Sequence, residues 1–453
     1  MAMNYFDKKN IRETFNNRHR TAKSKGIDKL SGVKFLSKLD EEVDLISNKI
    51  SKNNYKFSPY LENLKSKGRN KKPRIISIPT IRDRIVQSIM KEYLHSNYDK
   101  RVHRLPPNLM VKNIYKEFGN YDYCVRGDIK GFYDEIDREH LLSLIHKDDI
   151  FYDLIERSIE NTTVPKNYSK NKIDKYYRKK GIPQGLAISN ILAQIYLTNF
   201  DAFFETNTEI YYKRYVDDFI ILCKTKSSQD NIHKEIKSQL KQIKLKLNKE
   251  KSKKVQINHN NCFDYLGYKL SKSHISVKDS NVEIFIQKIA SIFTWYKNGM
   301  ANPLNRPRNL KNDDRFIEVF INKLNFKIRG ATSGNKVYGW LFYYIEINDK
   351  TLLYKLDNII NTFFERVNLS KPDNFKGIVR SYFKIKHNEY DGFVLNFDKL
   401  ISIEDKLKFL VDLGKINFED KDNYSDDEID KIYSAERNKL LKSLKKDSGY
   451  KYF

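Results

Sequence analysis

Residues 209–224, EIYYKRYVDDFIILCK, set two adjacent acids between runs dominated by tyrosine, valine, isoleucine and phenylalanine. Aromatic and β-branched side chains fit a pleated, packed surface, so the two runs predict strands joined by a hairpin, with Asp217 and Asp218 in its tight turn. Aspartate suits turns because its carboxylate accepts hydrogen bonds from nearby backbone N–H groups. Taken alone, an Asp-Asp turn is structural in most chains, and a chemical reading needs a further carboxylate.

Asp128 supplies it, at the end of the strand-like run YCVRGD, with Gly131 following and a helix starting near Asp137. A carboxylate ending one strand can face a hairpin turn on its neighbour across about 5 Å. Acids so placed can bind one pair of Mg²⁺ ions, which take oxygen ligands and clamp the attacking and leaving oxygens of phosphoryl transfer. Side chains alternate along a strand, so Asp217 is expected to bind metal together with Asp128, and Asp218 to be more peripheral. Between these acids lies GIPQGLAISN, residues 181–190. Its glycines permit close backbone approach to a flat ligand, Gln184 can donate and accept, and Ser189 is placed to cap the next helix.

Charge narrows the partner. Lysine and arginine total 85 against 58 acids, a net +27, which points to nucleic acid, although a bias toward Lys, Asn and Ile produces the same excess. Cys124, Cys223 and Cys262 have no metal-ligand spacing, which predicts no zinc and a reducing compartment. No signal-peptide core and no run of about 18 apolar residues is present, so a cytoplasmic protein without membrane attachment is expected.

Periodicity gives the organisation. Leu36, Leu39, Val43, Ile46 and Ile50 form one helical stripe; LKSKGRNKKPRIISIPT predicts a hairpin with a charged tip; Thr80 caps a helix carrying Ile85, Ile89 and Tyr93. From about Tyr121 to Gly267 strand-like runs alternate with helices, among them one with Ile232, Ile236, Leu240, Ile243 and Leu247 in register. Past residue 281 the pattern is helical, and the tail from Asn417 predicts a solvated helix with loose ends.

The ordered set RGDIKGFYDEID, GIPQGLAISNILAQIYL, RYVDDFIIL, LKLNKEKSKK and FDYLGYKL resembles bacterial reverse transcriptases related to group II introns, retrons and phage-defence enzymes. The resemblance covers roughly residues 20–280. It implies an α+β right-hand polymerase whose fingers and palm form an antiparallel sheet with helices. The corresponding division is an N-terminal extension and fingers (1–120), a palm with inserted fingers elements (121–280), a helical thumb (281–370) and a C-terminal helical extension (371–453).

The resemblance also implies roles. Asp128 and Asp217 match the metal-binding pair, Asp218 the third carboxylate, and the Ile129 carbonyl would complete the shell of two Mg²⁺ ions, with Mn²⁺ as a substitute. Tyr133 falls at the steric gate against a ribose 2′-OH, and Gln184 with Gly185 at the loop supporting the templating base and incoming dNTP. Lys72 and Arg74 match residues holding the triphosphate, Lys251 the lysine that protonates pyrophosphate, and Tyr265, Leu266 and Gly267 the primer grip. Plain hairpin packing explains that last turn nearly as well. The segment VHRLPPNLM departs from the Gly-aromatic-Arg-Pro pattern of intron enzymes, so template contacts there are not carried over.

The implied activity is RNA-directed DNA synthesis from dNTPs on an RNA template, and the variants LAISN and YVDD lean toward retron and defence enzymes using a structured noncoding RNA. Two alternatives stand beside it: a template-independent or protein-primed nucleotidyl transferase, given 30 tyrosines, and a non-catalytic protein binding structured RNA. Past residue 281 no Cys-His nuclease cluster or RNase H carboxylate set is evident. INKLNFKIRGATSGNKVYGWLFYYIEI suits either an RNA grip through its aromatic residues or burial of those rings in a helical core.

Overall fold

The computed structural model describes residues 5–66, 72–102, 105–147, 150–334 and 336–447. The chain forms two compact units, one from the residues up to Leu105 together with Asn120–Gln256, the other from Pro106–Gly119 and the residues from Ile257 onward.

In the first unit, strands β1 (Tyr60–Lys65) and β2 (Arg74–Ile78) pair antiparallel, with Leu61 opposite Ile78 and Lys65 opposite Arg74. This is the expected hairpin; its tip, residues 67–71, lies outside the described residues. The stripe at 36–50 becomes the helix Leu39–Ser51, with Leu39, Val43, Ile46 and Ile50 buried. Leu36 instead ends a separate short helix, Gly32–Leu36, and faces solvent. Thr80 starts the helix Ile81–Val102 as expected: its hydroxyl accepts from the Asp83 N–H at 3.2 Å and donates to the Asp83 carboxylate at 2.8 Å.

The main sheet contains β3 (Tyr123–Asp128), β5 (Ile210–Tyr215), β6 (Asp218–Cys223) and β7 (Lys253–Gln256), in the order β5-β6-β3-β7 and antiparallel throughout; β4 (Thr163–Val164) joins β1 instead. Strand β6 is central, and every residue after Asp218 is buried. A strand covered on both faces needs a continuous apolar run, which FIILC supplies. Gly127 sits opposite Phe219, and a Cβ there would lie 2.0 Å from the Phe219 ring. The absent side chain on β3 makes room for an aromatic ring on β6.

Of the predicted stripe 232–247, Ile232, Ile236 and Leu240 are buried on the helix Lys226–Gln242. The helix ends before Ile243, and Leu247 instead bridges to Ile129 beside the main sheet. Ser189 does not cap its helix. It is the first helical residue, and its hydroxyl donates to the Pro183 carbonyl at 2.6 Å, tying the loop to the helix start.

The second unit carries a meander of β8 (Phe263–Tyr265), β9 (Tyr268–Leu270) and β10 (Ile275–Val277), followed by helices Asp279–Ala301, Asp313–Arg329, Lys350–Arg366 and Ile378–Lys386. Its core is aromatic: Phe285 stacks on Trp340 at 4.6 Å and Tyr296 on Phe320 at 4.3 Å. Trp340, Tyr343 and Tyr344 are buried, so the core reading of that segment holds and these rings are not offered to a ligand. The tail also departs from expectation. Helix Asp426–Lys445 starts at a reciprocal Ser425–Glu428 cap and packs Ile429, Tyr433 and Leu444 into a cluster with Leu407, Phe409 and Leu410. Its stripe is sparse, and the dense charge around it concealed an ordinary packed face. Residues 448–453 lie outside the described residues.

Candidate active site

The acids are positioned by strand pairing. Asp128 ends β3 and is directly opposite Asp218, the first residue of β6, while Tyr215 pairs with Asp218 across the hairpin. The turn residues are therefore Val216 and Asp217, and Asp218 belongs to the strand rather than to the turn expected for it. Val216 has φ +59°, a left-handed conformation costly for a β-branched residue.

Two hydrogen bonds hold that turn. The Asp217 carbonyl accepts from the Ile129 N–H at 3.0 Å, and the Val216 carbonyl accepts from Arg214 Nη1 at 2.7 Å. Arg214 has a buried side chain, is ion-paired with Asp201, and donates to Gln194 Oε1 at 3.0 Å. Burial works against its charge, but Asp201 outweighs burial and raises its pKa. A fully engaged guanidinium thus braces the one strained residue beside the acids.

The electrostatics divide the acids. Burial, then Asp218 and Asp128, push the Asp217 carboxyl up to about 6, with Lys251 opposing. Asp218 has Arg126 Nη2 at 3.7 Å. The Asp128 carboxylate accepts from Lys251 Nζ at 2.7 Å and Asn248 Nδ2 at 2.8 Å, and its backbone N–H donates to Ser252 Oγ at 3.2 Å. Partial burial of Lys251 lowers its pKa, but the bond to Asp128 and the charges of all three acids outweigh this and raise it. Segment 246–252 reaches Asp128 because Asn248 N–H donates to the Asp128 carbonyl at 2.8 Å and Lys130 N–H to the Lys246 carbonyl at 2.9 Å.

The other expected residues fall in two places. Tyr133 lies buried on the turn of helix Phe132–Glu135; its carbonyl accepts from the Ile182 N–H at 2.8 Å and its hydroxyl meets Asn190 Oδ1 at 3.4 Å. The Gln184 carbonyl accepts from the Ser77 N–H at 2.7 Å, and its side-chain amide meets Asp134 at 3.4 Å. Gly185 has φ +109°, and a Cβ there would lie 2.8 Å from the Ile76 side chain. The Gly-Pro-Gln-Gly loop therefore lies flush on β2, the strand that begins with half-buried Arg74; Lys72 precedes that strand and is exposed.

Tyr265, Leu266 and Gly267 are in the second unit. Leu266 and Gly267, at φ +49° and +83°, form the turn between β8 and β9, and the Leu266 carbonyl accepts from the Tyr343 hydroxyl at 2.9 Å. Tyr265 is fully buried.

Arg126, Asn248, Ser252 and Arg214 had no signal in the sequence reading. The nearest was the alternation that puts Arg214 and Val216 on one side of the hairpin. Among the described residues no three His, Cys, Asp or Glu side chains stand in a metal-holding arrangement. The chemistry of the donors still suits a hard cation: burial first, and then Asp218 and Asp128, raise the pKa of Asp217, and a cationic ammonium already lies against Asp128. No helix among the described residues is long and apolar enough to cross a membrane.

An antiparallel sheet carrying paired acids at a hairpin, flanked by helices and followed by a helical unit, is the arrangement that the sequence resemblance implies. Residues 63–270 match the family described as reverse transcriptase (RNA-dependent DNA polymerase). The chain is 31% identical over 180 residues to the group II intron-encoded protein LtrA of Lactococcus lactis subsp. cremoris, covering 36% of this chain and 28% of that protein. An uncharacterized 91 kDa protein in the cob intron of Schizosaccharomyces pombe is 29% identical over 183 residues, 38% of this chain and 22% of that one. The chain thus spans about a quarter of the length of these curated relatives. Among solved structures, apo telomerase from Candida tropicalis aligns at TM-score 0.43 and 13% identity over 87% of this chain and 70% of that one. Residues 63–270 are thus similar to the reverse transcriptase family, and within it to group II intron-encoded proteins.

Proposed function

We propose that this chain is an RNA-directed DNA polymerase that extends a primer with dNTPs, its fingers, palm and thumb divided as the sequence suggests. The pairing of Asp128 with Asp218 beside the strained Val216–Asp217 turn is the observation that carries this reading. Asp128, Asp217 and the Ile129 carbonyl would hold two Mg²⁺ ions, with Asp218 as the less direct third acid. Bound there, the ions would supply charge neutralisation and activation of the primer 3′-OH.

The chain's own residues do the rest. Lys251 has a proton to give to leaving pyrophosphate and is held at the acids by Asp128. Arg74 and Lys72 face the triphosphate with positive charge. Tyr133, fixed by its backbone bond to Ile182, presents an edge that a 2′-OH would strike. Gln184 and Gly185 support the templating base, and the 265–267 turn holds the primer. The motif variants LAISN and YVDD favour a role in bacterial antiviral defence with a structured noncoding RNA as template source.

The test is Mg²⁺-dependent dNTP incorporation on an annealed RNA template. Asp217→Ala should lower it by at least about a thousandfold while RNA binding persists; full incorporation by this variant overturns the assignment. Tyr133→Ala should raise ribonucleotide use about tenfold or more, and unchanged sugar selection removes Tyr133 from the gate.

A further inference from the structure

The second unit contains a cavity of about 370 Å³ to which no role has been given. Small-molecule pockets run from about 300 to 1,000 Å³, so it has the size of a site rather than of a packing defect. Its floor is apolar: Ile275, Ile347 and Leu353 are buried. Rings line it: Tyr115, Tyr382 and Phe383, with Phe383 stacked on His387 at 6.2 Å and nearly parallel.

Charge at this cavity is arranged in two layers. Lys350, Lys386 and His387 stand exposed among its lining residues, with Lys350 Nζ 6.0 Å from the Phe383 ring centre. Inside, Glu346 has a side chain only 10% exposed, with Lys386 at 3.4 Å and Lys112 at 3.9 Å. Tyr115 and Asn348 are tied together at 3.4 Å, and the Tyr382 hydroxyl donates to the Ile347 carbonyl at 2.6 Å, so these walls are fixed by bonds of their own. An apolar floor and flat rings suit a planar heterocycle; rim lysines suit the phosphates on either side of it; an inner carboxylate suits a donor on its edge.

We propose that this cavity takes one unstacked nucleobase of a single-stranded RNA segment, and prefers a base with an exocyclic amino group. Cytosine N4 is a donor that a carboxylate accepts, whereas uracil shows a carbonyl oxygen at the same position and would face Glu346 with like partial charge. Stacking between Tyr115 and Phe383 provides most of the binding and Glu346 most of the preference. Lys350 adds a salt-sensitive part through the phosphates. The inference shares with the polymerase reading only the expectation of an RNA partner.

The experiment uses the full chain and fluorescence anisotropy with labelled oligocytidylate and oligouridylate of about ten nucleotides. The wild type should bind the cytidylate several-fold more tightly. Phe383→Ala should weaken it about tenfold, since stacking contributes about 1–3 kcal/mol per base, and Glu346→Gln should abolish the preference with little change for oligouridylate. Lys350→Ala, at an exposed position, gives an independent loss of severalfold that fades at high salt. Ultraviolet adducts of iodocytidine-substituted RNA should map to Tyr115, Phe383 or His387. Unchanged affinity in folded Phe383→Ala and Lys350→Ala, adducts confined to other residues, or equal binding of free cytidine monophosphate and the oligomer overturns the proposal. Failure of Asp217→Ala to stop synthesis would leave all these readouts unaffected.

Discussion

Two buried acids, one in each unit, are treated in opposite ways. In the second, a buried acid is matched by cations: Asp447, almost wholly enclosed, accepts from Lys288 at 2.8 Å and Lys327 at 2.6 Å. In the first, Asp128 and Asp218 face each other at the ends of two inner strands with Asp217 beside them, and burial together with these two acids pushes the Asp217 carboxyl up to about 6, next to a valine in left-handed backbone. Matched charge ties helices together, whereas gathered like charge destabilises the fold locally and marks a candidate functional site. The difference teaches where to look for chemistry: at the place where packing rules are broken and then braced.

The contrast can be tested, beginning with the brace. Arg214→Ala leaves half-buried Asp201 without its cation, with the Tyr212 hydroxyl still bonded to it, and frees the Val216 carbonyl, so unfolding in urea should show a loss of about 3–5 kcal/mol. A smaller loss would mean the turn holds itself.

Next is Asp83, whose carboxyl burial pushes up to about 6 despite bonds from Thr80, Tyr55 and the Ser58 N–H. The folded state binds this proton more tightly than the unfolded chain does. Its contribution is therefore fully present below about pH 4 and lost as pH rises through about 6, a change of about 3 kcal/mol. Urea midpoints of the wild type should carry this decline, and Asp83→Asn should remove the Asp83 share of it.

In the second unit, Asp447→Ala leaves Lys327 in a buried position without its carboxylate. A destabilisation of about 2 kcal/mol is expected by thermal unfolding; no change would show the C-terminal contact to be dispensable. The smallest effect has the opposite sign. Asp217→Asn relieves like-charge repulsion at the acids and should stabilise by about 1 kcal/mol while activity is lost, the usual opposition of stability and function at such sites.

Much of the site could be read along the chain because its parts are local. The hairpin, each strand-end acid and the glycine loop each show themselves through alternation or turn residues inside a window of about ten positions. Lys251 came only through resemblance, and the bond to Asp128 is what gives it a place. Asn248 and Ser252 carried no pattern, since they act through a segment without regular structure that happens to run beside β3. Ser189 shows the reverse error: a residue of the right type at a helix start whose hydroxyl is engaged elsewhere.

By itself the sequence determined the order of the motifs, the strand-turn-strand around Asp217 and the identity of the acids, because period-two alternation and turn chemistry are properties of neighbouring residues. Only the tertiary structure decided which strand lies against which, that Val216 and not Asp218 shares the turn with Asp217, that Arg214 braces it, and that Tyr115 and Phe383, 268 positions apart, line one cavity. Those facts depend on register and on contacts between distant segments, and the free energy of such contacts is set by burial and packing that no local window contains.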